Sequence, residues 1–348
     1  MVIILTPAAT ESDVADLRRR LKEFGYQSHL SRGEERTLVG AVGAAPPNKA
    51  AIMEALERLV YVERVVPITR QYKLAAREFN PGGSRFEVGG GVTVGAGSAV
   101  VIAGPCSVEG EEQIVATARA VRTAGAHMLR GGAFKPRTGP YHFQGLGDEG
   151  LRHLTTARAA TGLPIVTEVL DPRDVARVAE TADVLQLGAR NMQNFPLLRE
   201  VGRCSLPVLL KRGFSATYAE WLQAAEYLLS EGNRRVMLCE RGIRTFEEHT
   251  RNCLDLAAVP AIRELSHLPI FIDPSHGTGR ARYVAAMAKA AIAAGADGLM
   301  IEVHIDPHAA WTDAAQAIDS AEFGALMSDL AALGPLCGRP LHPVGGND

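Results

Sequence analysis

From Ala99 to Val303 the chain repeats one texture eight times: a short apolar run ending near a charged or polar residue, then a stretch whose apolar residues recur at helical spacing. The runs lie at about 99–104, 127–131, 164–168, 184–188, 207–211, 236–240, 269–273 and 298–303. Runs so short and so uniformly apolar suit strands covered on both faces, and strands alternating with helices build a parallel sheet. Eight such units are what a (β/α)8 TIM barrel requires. An open doubly wound sheet can carry as many, but it places a glycine fingerprint after its first strand, and Gly104-Pro105-Cys106-Ser107 does not match one. The expectation is an α/β chain with its barrel over residues 99–340.

The chain has 348 residues, enough for a barrel and one small appended domain. In residues 1–70 a β-branched strand at 2–5 precedes Val14, Leu17, Leu21 and Phe24 at helical spacing, with Thr10 or Ser12 as cap. Strands follow at Gln27 to Ser31 and Thr37 to Val42, turned through Gly33. Asn48 can cap a second helix bearing Ile52, Leu56 and Leu59, and Glu63 to Ile68 supplies a last strand. The order βαββαβ is the ferredoxin-like split motif. Residues 71–98 form a linker and a hairpin, in which Phe86, Val88, Val92 and Val94 flank a Gly89-Gly90-Gly91 turn.

A formal net charge of −2 excludes a chain that attracts nucleic acid or anionic membranes as a whole. No signal peptide opens the sequence, and the apolar tract from Val284 to Val303, broken by Lys289, Gly295 and Asp297, is a helix followed by a strand. A cytoplasmic enzyme is expected. The five scattered cysteines do not suggest a disulfide framework.

Barrels build their sites at the C-terminal ends of their strands. In chain order those ends deliver Cys106, Arg130, Glu168, Arg190, Lys211, Glu240 with Arg241, Asp273 with His276, and Glu302 with His304. A lone charge there is ordinarily a structural ion pair; a polar group at every end is hard to assign to folding. Cys106, His276, Glu302 and, on the following loop, Asp313 sort as ligands for a divalent metal. One sulfur, one nitrogen and carboxylate oxygens suit Mn, Fe(II), Co or Zn better than Mg or Ca. Cys106 alone could equally be an inert buried thiol. Arg130, Lys135, Arg137, Arg190, Lys211 and Arg241 would concentrate positive charge in a nearly neutral protein, as an anion trap or, around Leu129 to Gly139, as a solvated basic loop.

The segments GPCSVEG (104–110), LRGGAFKPRTGPYHFQGLG (129–147), GAR (188–190), LLKRG (209–213), DPSHGTGR (273–280) and IEVHIDP (301–307) resemble the 3-deoxy-D-arabino-heptulosonate 7-phosphate synthases, in the class with an N-terminal ferredoxin-like regulatory domain. RGEERT (32–37) and YKLAAREF (72–79) extend the likeness ahead of the barrel. The resemblance implies condensation of phosphoenolpyruvate with erythrose 4-phosphate, at the entry to the shikimate pathway. It implies Cys106, His276, Glu302 and Asp313 as metal ligands, Arg130, Lys135, Arg190, Lys211 and Arg241 as phosphoenolpyruvate contacts, and Arg137 with Thr138 as the segment holding the aldose. Lys135 is the expected acid, and Glu168 either handles the water or is a structural partner of Lys211 or an arginine. His29 and Ser31 match effector positions for feedback inhibition by tyrosine or phenylalanine. A homo-oligomer, a tetramer, is implied, with chorismate mutase a candidate partner. The family's usual KPRTS reads KPRTG here, so Gly139 brings no hydroxyl. The related 3-deoxy-manno-octulosonate 8-phosphate synthases carry KANRSS where this chain has KPRT, which favours the four-carbon aldose. A catalytically dead barrel serving as an amino-acid-binding regulator is the alternative outside enzymology.

Overall fold

Each of the eight apolar runs is a strand in the computed structural model, which describes residues 1–33, 36–43, 48–67, 72–137 and 139–343. The chain divides into two compact units, Met1–Gly83 with Leu265–His267 and Ser84–Glu264 with Leu268–Asp348.

In the first unit β1 (Val2–Leu5), α1 (Glu11–Glu23), β2 (Gln27–Arg32), β3 (Thr37–Val42), α2 (Lys49–Glu57) and β4 (Val62–Val66) follow one another as expected. The end of the last strand predicted at Ile68 lies outside the described residues. The sheet is antiparallel in the order β2-β3-β1-β4, with Ile3 opposite Val39 on one side and Val65 on the other. Period-2 alternation sends Ile3, Leu5, Val39, Ala41 and Val65 to one face, where the stripes Val14, Leu17 and Leu21 of α1 and Ile52 and Leu56 of α2 cover them. Thr10, not Ser12, caps α1: its hydroxyl accepts from Asp13 N at 3.3 Å and the Asp13 carboxylate accepts from Thr10 N at 2.7 Å. Asn48 stands at the N-cap of α2 without making a side-chain cap bond, against expectation.

The second unit opens with a hairpin, β5 (Phe86–Glu87) and β6 (Thr93–Val94), whose three turn glycines all hold positive φ. The barrel strands are β7 (Val100–Gly104), β8 (Met128–Arg130), β9 (Ile165–Glu168), β10 (Val184–Leu187), β11 (Val208–Lys211), β12 (Val236–Glu240), β13 (Ile270–Ile272) and β14 (Gly298–Glu302). They close in a ring, with Glu302 of β14 registered against Gly104 of β7. Among the helices between them are α3 (Glu111–Thr123), α4 (Asp148–Thr161), α5 (Val175–Ala179), α6 (Phe195–Arg203), α7 (Tyr218–Ser230), α8 (Ala258–Leu265), α9 (Pro274–Thr278) and α10 (Ala281–Ala293), and α11 (Ser320–Leu336) follows the last strand. Inside the ring Val100, Val166, Val184, Leu209, Met237 and Phe271 pack with Val88, Val92 and Val94 of the hairpin. Because these strand residues belong to the first and middle parts of their strands, the hairpin stoppers the N-terminal mouth. Among the described residues no helix is long and apolar enough to cross a membrane.

Candidate active site

At the other end of the ring the strand-end side chains converge on one cavity of about 210 Å³, lined among others by Cys106, Arg130, Lys135, Arg137, Glu168, Arg190, Lys211, Arg241, His276 and Asp313. Of the residues singled out in the sequence, Thr138 lies outside the described residues. His29 and Ser31 are in the first unit, on the edge strand β2 opposite Gly40 and Leu38.

Cys106 Sγ, a ring nitrogen of His276 and carboxylate oxygens of Glu302 and Asp313 all lie within 4.8 Å of one another. Donors at roughly 2.0–2.3 Å from one ion stand at most about 4.6 Å apart, so small side-chain movements would bring this set around a metal. Cys106 Sγ approaches Asp313 Oδ2 at 3.1 Å, and His276 Nε2 lies 3.8 Å from Glu302 and 3.9 Å from Asp313. Each donor has a holder. Gln316 Nε2 donates to Glu302 Oε2 at 2.8 Å, and Arg251 Nη1 pairs with Asp313 Oδ1 at 3.1 Å while donating to Gln316 Oε1 at 2.8 Å. His276 Nδ1 lies 2.9 Å from Asp273 Oδ2, and the buried carboxylate orients the ring. Asp313 is the one non-glycine residue with positive φ among those described, at 55°. A backbone held there is a local cost that a donor position makes intelligible.

Burial raises Glu302 to about 7, against the pull of Arg130, and burial lifts the Cys106 thiol too, against the pull of Lys135. Burial lowers His276 to about 3, keeping the imidazole neutral and its lone pair free. Asp313 is held below its ordinary range despite its burial, with the Arg251 guanidinium beside it. A divalent cation favours the deprotonated form of every one of these groups, so the donor set fits a metal.

The cations occupy the neighbouring wall. Lys135 Nζ donates to Cys106 O at 2.8 Å and to Cys106 Sγ at 2.9 Å, which favours a thiolate. Lys211 Nζ pairs with buried Asp273 at 2.6 Å, while Arg130 Nη1 stands 3.7 Å from Glu302. Arg130 Nη1 and Arg241 Nη1 are buried with no hydrogen-bond partner among the described residues, and burial brings the Arg241 guanidinium down to about 10. Buried donors left open on a cavity wall are prepared for an anion.

Glu168 does not pair with Lys211. Gln186 Nε2 donates to its Oε2 at 3.1 Å, and its Oε1, without a hydrogen-bond partner, sits over Gly188. A Cβ at Gly188 would stand 2.0 Å from that oxygen, so the glycine is the space the carboxylate uses. Two strand-end residues turn away from the cavity. Glu240 forms a buried pair with Arg212 at 2.8 Å and accepts from Gly242 N, and His304 meets Glu109 at 3.3 Å. Alternation explains the neighbours Lys211–Arg212 and Glu240–Arg241, each sending one member inward and the other out. Gln186, Arg251, Gln316, Phe214 and His142 also stand at the site, though no strand-end rule picks them out; the His142 ring lies 3.1 Å from where a Cβ on Gly139 would be.

Comparison with known proteins agrees with this geometry. Residues 68–334 match the DAHP synthetase I family and residues 1–70 the DAHP synthase ferredoxin-like domain. The phospho-2-dehydro-3-deoxyheptonate aldolase of Thermotoga maritima is 45% identical over 338 residues, covering 97% of this chain and 99% of its own. A crystal structure of that DAHP synthase superposes with a TM-score of 0.77 at 44% identity, over 98% of this chain and 99% of the other. A 2-dehydro-3-deoxyphosphooctonate aldolase of Syntrophotalea carbinolica is 33% identical over 67% of this chain and 90% of its own. With both of its parts matched in order and its strand-end chemistry in place, the chain belongs to the DAHP synthetase I family.

Proposed function

We infer that this chain is a cytosolic 3-deoxy-7-phosphoheptulonate synthase, which joins phosphoenolpyruvate, erythrose 4-phosphate and water into 3-deoxy-D-arabino-heptulosonate 7-phosphate and inorganic phosphate at the entry to the shikimate pathway. The observation that carries this reading is the meeting, in one cavity, of a four-donor cluster with a bank of buried cations. Cys106, His276, Glu302 and Asp313 would hold a divalent ion of the Mn, Fe(II), Co or Zn type, which supplies Lewis acidity toward the aldehyde oxygen.

Arg130, Lys135, Arg190, Lys211 and Arg241 bind the carboxylate and phosphate of phosphoenolpyruvate and fix its plane. Arg137 and Thr138 belong to the segment that holds erythrose 4-phosphate. The methylene carbon of phosphoenolpyruvate attacks the aldehyde, water adds to the carbon left electron-poor, and the phosphohemiketal breaks its carbon–oxygen bond to release phosphate. Lys135 is the acid toward phosphoenolpyruvate, and the two protons of the added water end on the former aldehyde oxygen and on the departing phosphate, so Lys135 is restored at the end of the cycle. Glu168, with one oxygen held by Gln186 and the other open, positions the water.

The test is a phosphate-release assay with erythrose 4-phosphate or arabinose 5-phosphate, each with and without chelator. Turnover confined to the four-carbon sugar and abolished by chelator is expected; a metal-loaded protein that consumes neither sugar would refute the assignment. The five-carbon arm is the competing reading, because the octulosonate relative also covers two thirds of the chain. Cys106→Ser should lose bound metal and activity together, measured by elemental analysis beside the assay.

The ferredoxin-like unit is the regulatory part, and tyrosine or phenylalanine acting at His29 and Ser31 is the inhibition we assign to it, within a homotetramer. A rate unchanged by either amino acid, in a protein that also ignores removal of residues 1–70, would remove that role. Chorismate mutase remains the proposed protein partner.

A further inference from the structure

The rim of the catalytic cavity carries an imidazole that neither the donor cluster nor the buried cations use. His142 lines the cavity together with Arg137, although it is itself exposed. It arrives there on a fastened loop after β8. Lys135 N donates to Gln144 O at 2.9 Å and closes the base of that loop. At the tip His142 N donates to Gly139 O at 3.2 Å, the bond of a four-residue turn whose second position is Pro140. Gln144 Nε2 braces the turn, donating to His142 O at 2.9 Å and standing 3.4 Å from the Gly139 and Pro140 carbonyl oxygens.

This turn folds the ring back onto Gly139. Its Cε1, Nδ1 and Nε2 atoms would stand 3.1, 3.2 and 3.4 Å from a Cβ at that position. The φ of Gly139 is not in the left-handed region, so the backbone does not demand a glycine there; the bare Cα serves as a seat for the imidazole. Among the described residues neither the ring nitrogens of His142 nor the guanidinium of Arg137 has a hydrogen-bond or ion-pair partner. Erythrose 4-phosphate carries its aldehyde and its phosphate at opposite ends of a four-carbon chain. With the aldehyde turned to the cluster of Cys106, His276, Glu302 and Asp313, and the buried cations engaged by phosphoenolpyruvate, the sugar's phosphate points to the mouth. Arg137, partly buried, and His142, exposed, stand there. A guanidinium fork engages two oxygens of a phosphate monoester, and an imidazole N–H can take the third.

We propose that His142 is a specificity-determining residue of the aldose site: seated on Gly139, its ring donates an N–H to the phosphate oxygen that the Arg137 fork leaves free. The proposal rests on the synthase reading, which turnover of the unmodified enzyme with both substrates tests first; a failure there counts against that reading and not against His142. In the active enzyme, His142→Ala should raise KM for erythrose 4-phosphate about tenfold, the equivalent of about 1.4 kcal/mol. KM for phosphoenolpyruvate and the bound metal should stay within about twofold of the parent, which also shows that the variant is folded. His142→Gln keeps an N–H donor without the ring, and His142→Phe keeps a ring without the donor. Glutamine should recover most of the loss and phenylalanine none. An unchanged aldose KM in the alanine variant would overturn the proposal, as would losses against both substrates, or recovery by phenylalanine alone, which would make His142 a packing residue of the loop. Glycerol 3-phosphate supplies a readout independent of turnover. Calorimetric titration into protein saturated with phosphoenolpyruvate should find the parent about tenfold tighter than His142→Ala, and equal affinities would refute a phosphate contact.

Discussion

At the level of single residues, the site turns on how little room surrounds its working groups. Gly188 is the clearest case. Its missing side chain is the volume through which the Glu168 carboxylate passes, so Gly188→Ala must displace that carboxylate. Displacement by about 1 Å is enough to cost on the order of a hundredfold in rate. We therefore expect kcat to fall by about that factor in Gly188→Ala while the metal content, held by other residues, stays at the parent's level; unchanged kcat would mean that Glu168 has no place in the chemistry. The inward set Cys106, Arg130, Glu168, Lys211 and Arg241 was legible in the sequence, because barrel strands end where chemistry begins and each of these closes a strand or follows one within two residues. Gln186 was not legible, since an uncharged amide inside an apolar run looks like any satisfied core polar group. Neither was Arg251, whose loop gives no periodicity from which to judge direction.

Elements show where strand-end logic overreaches. Glu240 ends β12 as plausibly as Glu168 ends β9, yet it turns outward to Arg212, which also reaches Asp255 at 2.9 Å and donates through Nε to Ala216 O at 2.8 Å. Tyr218 Oη donates to the same Asp255 at 2.7 Å, tying α7 to the group. Burial raises Glu240 above the ordinary carboxylate range and the Arg212 partnership opposes it. Removing one member of a buried pair leaves the other charge uncompensated, at about 3 kcal/mol or more. Glu240→Ala should thus lower stability by about 3 kcal/mol in denaturant unfolding, and a loss below about 1 kcal/mol would show that Asp255 alone satisfies Arg212. The N-terminal elements were readable for a different reason. Periods of 2 and 3.6 alternate cleanly there, and the Thr10 to Asp13 spacing marks a helix start. Asn48 has the right residue type and makes no bond, because identity permits a cap without dictating the rotamer.

For the whole molecule, the order of the eight units was visible from periodicity alone, whereas the ring's closure, Glu302 beside Gly104, is a long-range pairing that no local pattern encodes. The hairpin was visible as a hairpin, but not as the stopper of the barrel, since its valines carry no mark of what they will pack against. That stopper has a kinetic meaning. A tube sealed at its floor has a single doorway, and whatever reacts deepest must arrive first and depart last. Arg130, Lys135, Lys211 and Arg241 are buried, whereas Arg137 is only partly so. With the buried cations holding phosphoenolpyruvate and Arg137 the aldose, as proposed, phosphoenolpyruvate should enter ahead of the aldose, and inorganic phosphate, released at the inner station, should leave after the sugar. Product-inhibition kinetics should then find phosphate competitive against phosphoenolpyruvate and not against the aldose; the reverse pattern would mean a second way out. A blind-ended barrel is in this sense a queue, whose discipline is set by three valines at the end where no chemistry takes place.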